Sequence, residues 1–513
     1  MDPNEKKSGT MLKTALLMVI ITLSAKLLGM VRDILLAASY GTTSAAVAYD
    51  TASRLPLIIF DFVIGGVITA SFIPVFNEIL VKKSKREALD FASSYVNIIL
   101  LITSALAVIG VVFSGMLVSI LAPDIPDSTA TLATSLSKIM FPMIIFTGLA
   151  FSFVGFLQSF GNFLLPALIS LVSNLVMVLY FLIFNKSFGI WGLAIAMLIG
   201  WGAQALIQLP SVIKNGFRFS IKTDFRSPYI KRSFMMALPI LISSWVQPFC
   251  NLINTRFASS IDGGISAMGY ANRLYLIIVG VFTFVATNLL FPYFSKAKAM
   301  GDSEEESKLT RTSVRSLMLI ILPITVGIWV LSEPIVSIIY QRGEFNFDDV
   351  KMTAEALRFF ALGMPFYALN EVCTKKFFAE QKTLPPMITA LVSIVFNFAF
   401  VILLSEKMGI GGIALSSALA VLVNSALNMA IRYIGGDKVL RWSDALQISL
   451  MLISSIAMGA SVFFLSHYLS GIIGMALSVL IGALIYFALC FAFGEGMTRT
   501  FASKFFKFGR SRK

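Results

Sequence analysis

A short sequence built around an arginine occurs twice in this chain, each time inside an apolar run. It reads Ala52-Ser-Arg54-Leu-Pro-Leu-Ile-Ile59 and then, 219 residues later, Ala271-Asn-Arg273-Leu-Tyr-Leu-Ile-Ile278. The pattern predicts two copies of one ancestral architecture with a polar centre. Further matches follow at an offset of 220: Pro166 with Pro386, Leu171-Val-Ser173 with Leu391-Val-Ser393, Gly189-Ile190 with Gly409-Ile410, and Gly192 with Gly412.

The composition indicates what kind of architecture is repeated. Of the 513 residues, 57% are hydrophobic and 13% are charged, against roughly 25% charged in ordinary globular domains. Because about 20 apolar residues cross a bilayer, the sequence predicts an all-α polytopic membrane protein with fourteen transmembrane helices. We expect these spans near residues 14–39, 45–67, 90–121, 131–158, 163–184, 189–213, 233–257, 266–294, 313–340, 352–379, 384–404, 409–431, 443–468 and 471–493.

The repeat divides these spans into two lobes. Each copy covers six spans, an even number, so both copies enter the membrane in the same orientation and should be related by an axis along the membrane normal. We therefore predict an N-lobe (1–215), a C-lobe (216–437), a helix pair outside the duplication (438–495) and a basic tail (496–513).

Loop charges orient the chain, because cytoplasmic loops collect Lys and Arg. The face that carries both termini holds 28 of the 41 basic residues, and the opposite loops hold four: Lys186, Arg342, Lys351 and Lys407. Both termini are therefore predicted to be cytoplasmic. The net charge of +14 belongs mostly to this asymmetry and favours anionic lipid headgroups as partners. Nucleic acid is not expected, since no nucleic-acid motif accompanies the charge.

Cations outnumber acids inside the predicted spans. A charge at membrane depth costs about 2.5 to more than 10 kcal/mol and usually faces a watery cavity or a partner. The surplus predicts an anionic guest. The cations are Lys26, Arg32, Arg54, Lys138, Arg256, Arg273, Arg358, Lys375 and Lys376, and the acids are chiefly Asp33, Asp50, Asp61 and Glu371.

Helical spacing groups some of these charges. At about 100° per residue, Asp50, Arg54 and Asp61 fall within about 40° of one another and form one stripe on the second span. On the first span, Lys26 and Asp33 share a face. Gly29 lies between them and allows close approach of another helix or a ligand, whereas Arg32 lies about 120° away and is expected to point elsewhere.

Two interpretations of these charges stay open. One is buried ion pairing, of Asp50 with Arg54 and of Glu371 with Lys375 at i,i+4, and of Asp33 with a neighbour. We favour it for Glu371, Lys375 and Lys376, which approach the cytoplasmic end of the tenth span, where lysines can snorkel.

The other interpretation is binding of the guest, which we favour for Arg54 and Arg273. Their repetition places two guanidiniums symmetrically, and a guanidinium grips phosphate oxygens at two points. Arg54 and Arg273 lie below the predicted outer face of the membrane, and Arg256 lies near that face.

One run of the first span has a family signature. Ser24-Ala-Lys26-Leu-Leu-Gly29-Met-Val-Arg32-Asp33, followed by Tyr40-Gly41 and Ala48-Tyr49, resembles the MurJ (MviN) family of lipid II flippases, within the multidrug/oligosaccharidyl-lipid/polysaccharide exporter superfamily. The supporting segments are Ser71-Phe-Ile-Pro74, Tyr270-Ala-Asn-Arg273, Arg342-Gly343-Glu-Phe345 and Leu362-Gly-Met-Pro-Phe-Tyr367.

This resemblance implies a function and a set of site residues. It implies alternating-access transport of lipid II across the bacterial cytoplasmic membrane for peptidoglycan synthesis, with the cell-wall synthesis machinery as a further partner. Arg32, Asp33 and Arg273 match family residues that line a cavity for the diphosphate and sugar head, and Lys26 stands where arginine is usual. The helix pair in 438–495 would border a groove for the lipid tail.

The chain also departs from the family pattern. Val47 replaces a usual acid, Phe60 replaces the second-helix arginine, and Gly-Glu-Gly becomes Ile64-Gly65-Gly66. We hypothesise that Asp50 and Arg54 supply displaced replacements. Spans seven and eleven carry no carboxylate for the sodium site of some relatives, so the membrane potential is the expected driving force.

Two rival functions remain. The first is export of another undecaprenyl-diphosphate glycan or of an amphipathic drug, although a cationic drug would need an acidic cavity. The second is a polyprenyl-phosphate enzyme, which would need an exposed base or metal-binding carboxylates. We interpret the adjacent outer-loop acids Asp348 and Asp349 as a helix start, and we expect neither catalysis nor a cofactor or metal.

Overall fold

The computed structural model describes residues 3–64, 71–220, 223–285, 294, 303–380, 382–437, 439–469 and 471–493. Within these ranges the chain forms eighteen α-helices and no β-strand. The all-α prediction is therefore confirmed for the described residues. The predicted basic tail (496–513) and the altered motif residues Gly65 and Gly66 lie outside them.

The contacts divide the chain into two compact units. The first unit is Met1–Ser266 with Arg342–Phe345, and the second is Ala267–Gln341 with Asn346–Lys513. The helices of the first unit are α1 (Pro3–Tyr40), α2 (Ser44–Val63), α3 (Ile73–Lys82), α4 (Lys85–Val112), α5 (Ser114–Leu121), α6 (Asp127–Met140), α7 (Met143–Ser159), α8 (Leu164–Ile183), α9 (Asn185–Lys214), α10 (Pro228–Ser244) and α11 (Val246–Ala258).

Within this first unit, α8 packs against both α1 and α9, and α7 packs against α4 and α9. Helix α10 contacts α2, α3 and α4, while α11 contacts α2 and α5. The predicted N-lobe ended at residue 215, so the first unit contains two helices that the repeat assigns to the second copy. The predicted lobe boundary stays a prediction about the repeat.

The second unit begins within α12 (Gly264–Val285). Its further helices are α13 (Ser303–Tyr340), α14 (Phe347–Ala361), α15 (Met364–Ala379), α16 (Leu384–Ile434), α17 (Trp442–Tyr468) and α18 (Gly471–Ala492). Helix α13 packs against α14 and α17, helices α14 and α15 pack against α16, and α17 packs against α18.

Length and apolarity identify the helices that suit a bilayer. Among the described residues, seven helices are long and apolar enough to cross it, and α6 with α7, which meet at a bend of 41°, would make eight if they form one span. A multi-pass membrane protein is thus supported. The count of fourteen spans stays a prediction.

A local sequence signal sets the start of α14. Asn346 caps α14 by accepting hydrogen bonds from the Asp348 and Asp349 main-chain N–H groups, and the Asp349 carboxylate accepts the Asn346 N–H in return. This reciprocal arrangement satisfies donors that a helix start leaves unpaired. The interpretation of the adjacent acids as a helix start is confirmed.

Two long helices are interrupted at a glycine. Gly189 in α9 has φ 52° and Gly409 in α16 has φ 53°. This left-handed region is readily accessible to glycine because it has no Cβ. Both glycines lie where the sequence predicts a span to begin, and they are the pair that the repeat aligns at an offset of 220.

Candidate binding site

The first-helix cation is held by neighbours on two helices. Arg32 on α1 donates from Nε and Nη2 to Asp33 Oδ1, at 3.1 and 2.8 Å, and from Nη1 to Asn174 Oδ1 on α8, at 2.9 Å. Asp33 is 6% exposed, whereas a third of the Arg32 side chain is accessible. The expectation that Arg32 points away from Asp33 is wrong, because the long side chain folds back across the helix surface.

Gly29 and Lys26 complete this part of α1. A Cβ at Gly29 would lie 3.2 Å from Nδ2 of Asn174, so the glycine admits the neighbouring helix at close range. The predicted close approach of another helix at Gly29 is confirmed. Lys26 is exposed, whereas Asp33, which was predicted to lie on the same face of the helix, is buried.

The charged stripe on α2 runs through three different environments. Asp50 is only 1% exposed, Arg54 is half-buried and Asp61 is exposed. The stripe is therefore not one uniform polar surface.

Arg54 contacts the part of the first unit that follows α10. Its Nη1 donates to Thr255 Oγ1 on α11 at 2.7 Å, and its Nη2 donates to the Ile265 carbonyl in the first turn of α12 at 3.3 Å. Thr255 is 2% exposed and donates its own hydroxyl hydrogen to the Asn251 carbonyl. One arginine thus joins α2 to two later helices.

Arg256 has a contact of a different kind. The side chain is exposed, and Nη1 donates to the Ile120 carbonyl in the last turn of α5 at 2.9 Å. The last four carbonyls of a helix lack an internal partner, and a cation favours that end of the helix dipole. The contact gives Arg256 a helix-capping role, whereas its predicted binding role stays a prediction.

Arg273, the repeat partner of Arg54, lies in the second unit. Its guanidinium carbon lies 5.2 Å from the centre of the Tyr270 ring, within the range of a cation–π interaction. Tyr270 is fully buried and its ring centre lies 5.1 Å from that of Tyr340. The two repeated arginines therefore contact different kinds of partner.

The lysines of α15 separate into two cases. Lys375 lies 3.8 Å from Glu371, so this predicted i,i+4 ion pair is confirmed. Lys376 is 2% exposed and does not snorkel. Its Nζ lies 2.6 Å from Asp437 and 3.3 Å from Glu306.

Sequence reasoning missed two features of the site region. Asn174 was not predicted, although it follows the repeated Leu171-Val-Ser173 and is a polar residue in an apolar span. The ionic partners of Lys376 were missed because they are distant in sequence. Within the described ranges, no cluster of three or more His, Cys, Asp or Glu side chains is arranged to hold a metal ion.

The apolar helices of membrane length define a multi-pass membrane protein. The chain belongs to the family described as lipid II flippase MurJ, whose family model matches residues 36–472.

Individual relatives agree with this family. A protein of Rhizobium tropici named "Probable lipid II flippase MurJ" is 26% identical over 492 residues, which is 92% of each chain. A protein of the same name from Rhizobium meliloti (strain 1021) is 29% identical over 425 residues, 80% of this chain and 78% of the relative.

Solved structures show the same fold. A lipid II flippase MurJ in an inward closed conformation has a TM-score of 0.81 at 24% identity, over 93% of this chain and 98% of that one. An inward-facing multidrug resistance MATE family transporter of the MOP superfamily has a TM-score of 0.69 at 13% identity, over 83% and 98%. This chain therefore shares its fold with both of these solved proteins.

Proposed function

We propose that this protein is a flippase that moves lipid II across the bacterial cytoplasmic membrane. Membership of the MurJ family supports lipid II as the substrate, because the relatives carry that substrate in their names. The geometric observation that carries the proposal is Arg32. The guanidinium of Arg32 on α1 is held by Asp33 and Asn174, yet a third of the side chain stays accessible.

The proposed mechanism is alternating access with the membrane potential as the driving force. Both termini would be cytoplasmic, the fourteen spans would form two lobes and a trailing pair, and the basic face would attract anionic lipids. The fold shared with MATE transporters supports alternating access. Lys26 and Arg32 on α1 would bind the diphosphate while the polyprenyl tail stays in lipid, and cell-wall enzymes would use the product. The binding role of Arg273 stays a prediction from the family resemblance.

The flippase changes the leaflet of its substrate and leaves its covalent structure intact. A labelled lipid-linked sugar should therefore become accessible on the opposite side of a proteoliposome with its mass unchanged. A change in mass would favour the polyprenyl-phosphate enzyme instead.

Complementation tests the substrate. We expect this chain to rescue growth of a bacterium depleted of its own lipid II flippase, and Arg32→Ala to fail at equal membrane level. A charge-assisted hydrogen bond contributes about 1.5–3 kcal/mol, so the loss should exceed about tenfold in transport. Arg86→Ala, at an exposed basic residue in the first turn of α4, is the matched control and should rescue.

The opposite result has a defined meaning. If the well-expressed wild type does not rescue, lipid II is the wrong substrate. Another undecaprenyl-diphosphate glycan would then be the candidate, with the departures at Val47, Phe60 and Gly65 as the cause.

A further inference from the structure

The guanidinium of Arg32 has five N–H donors, and three of them are used by two side chains. Nε and Nη2 donate to the same oxygen of Asp33, and Nη1 donates to Asn174. Asp33 is the next residue on the same helix, whereas Asn174 comes from α8. These bonds leave one N–H on each terminal nitrogen, and a third of the side chain is accessible.

The orientation of the Asn174 amide is fixed from its other end. Nδ2 donates to the Ala25 carbonyl on α1 at 3.1 Å, so Oδ1 must face Arg32. Asn174 is 9% exposed, and a side chain at Gly29 would press on Nδ2 at 3.2 Å. The amide therefore lies in a fitted position between Ala25 and Arg32, where it has little freedom to turn.

We propose that Asn174 is a positioning residue for substrate binding, which holds the guanidinium of Arg32 so that its terminal edge meets the diphosphate of a lipid-linked substrate. A guanidinium bonded by Asp33 through Nε and Nη2 and by Asn174 through Nη1 has little freedom to rotate, and the N–H group left on each terminal nitrogen suits contact with phosphate oxygens. Asp33 alone holds only one edge. The inference rests on the proposed function.

A double-mutant cycle separates positioning from general support of the fold. The probe is geranylgeranyl diphosphate, and its affinity is measured on purified protein in nanodiscs. We expect Asn174→Leu to weaken binding about tenfold, as the loss of one bond to a charged group does. In the Arg32→Ala background the same change should matter less than about twofold, because nothing is left to position.

Two more variants complete the design. Gly29→Ala crowds the amide without removing it and should weaken binding by a smaller factor, again only when Arg32 is present. Gln208→Leu removes a fully buried amide that bonds the Ala150 carbonyl across helices α9 and α7. It is the matched control and should leave the affinity unchanged, whatever it does to the melting temperature.

Each result has one interpretation. The positioning role is overturned if Asn174→Leu lowers the affinity equally with and without Arg32, or does not lower it at all. The proposed function survives that result as long as Arg32→Ala still weakens binding. If the wild type does not bind the diphosphate, or Arg32→Ala binds as well as the wild type, the diphosphate site itself is wrong and the role of Asn174 falls with it.

Discussion

At the residue scale, the structure gives Arg54 protein partners where the sequence suggests a ligand. The guanidinium is half-buried, and the Thr255 hydroxyl and the Ile265 carbonyl accept two of its hydrogen bonds. Thr255 accepts from Arg54 while it donates to Asn251, so the hydroxyl is used in both directions. We infer that one role of Arg54 is to hold α2 against α11. Its contact with the substrate stays a prediction.

Thr255→Val tests this role, because valine keeps the shape and removes the acceptor. We expect the free energy of unfolding to fall by about 1–3 kcal/mol, since Arg54 loses one bond in a half-buried place. Thr255→Ser keeps the hydroxyl and should stay close to the wild type. Denaturant unfolding of the purified protein in detergent micelles measures both variants, and equal losses would show that the methyl group matters instead of the bond.

At the element scale, the second unit contains a chain of alternating charges. Lys376 on α15 contacts Glu306 on α13 and Asp437 after α16. Arg432 on α16 contacts that same aspartate at 2.8 Å and Glu380 at 3.0 Å. These bonds join the ends of three helices. Removing one partner of such a buried pair typically costs about 3–5 kcal/mol.

This charge chain shows where sequence reasoning ends. The Glu371–Lys375 pair was predictable, because residues four apart on a helix are neighbours. Lys376 pairs with residues about 60 to 70 positions away in sequence, and only the packing of the helices brings them together. The periodicity of a helix predicts on which side of the helix a residue lies. It does not predict which other helix packs against that side.

Glu380 gives this charge chain a testable dependence on pH. Burial alone would raise the pKa of its carboxyl group, but the charges of Arg432 and Lys382 outweigh burial and lower the pKa. A lowered folded-state pKa means that the carboxylate stabilises the fold above its unfolded pKa of about 4.3. That contribution is lost as the pH falls through the folded-state pKa.

We therefore expect Glu380→Gln to lower the melting temperature at pH 7. Between pH 5 and pH 3, the melting temperature of this variant should fall by less than that of the wild type. Glu406→Gln, at an exposed acid of α16, is the matched control. Scanning fluorimetry across the pH series measures all three proteins. Identical pH profiles for the wild type and Glu380→Gln would contradict the stabilising role.

At the scale of the whole molecule, the repeat and the packing divide the chain differently. The repeat assigns α10 and α11 to the second copy, yet the first unit extends to Ser266. The contacts within the first unit are specific: Arg232 to Glu78 at 2.8 Å, Ser233 to Ser71 at 3.1 Å, the Trp245 indole to the Phe62 carbonyl at 2.8 Å, and Arg256 to the Ile120 carbonyl.

The sequence could not predict this division. Duplication leaves matching positions, and Gly189 and Gly409 share both the offset and an unusual backbone. Which unit a helix packs against depends on side chains scattered along it, such as Arg232 and Trp245, and on partners far away in sequence. A repeat in the sequence therefore does not predict which helices pack together in one unit.

This division predicts that α10 stays with the first unit while the protein transports. Ser71 and Ser233 are fully buried and their hydroxyl oxygens lie 3.1 Å apart, so Ser71→Cys with Ser233→Cys should form a disulfide on oxidation. We expect flipping by the oxidised double variant in proteoliposomes to remain within about twofold of its reduced form, because the bond joins groups that do not separate. Each single-cysteine variant, oxidised in the same way, controls for the native thiols Cys250, Cys373 and Cys490. Transport that stops on oxidation and returns with reductant would show that α10 leaves the first unit during the cycle.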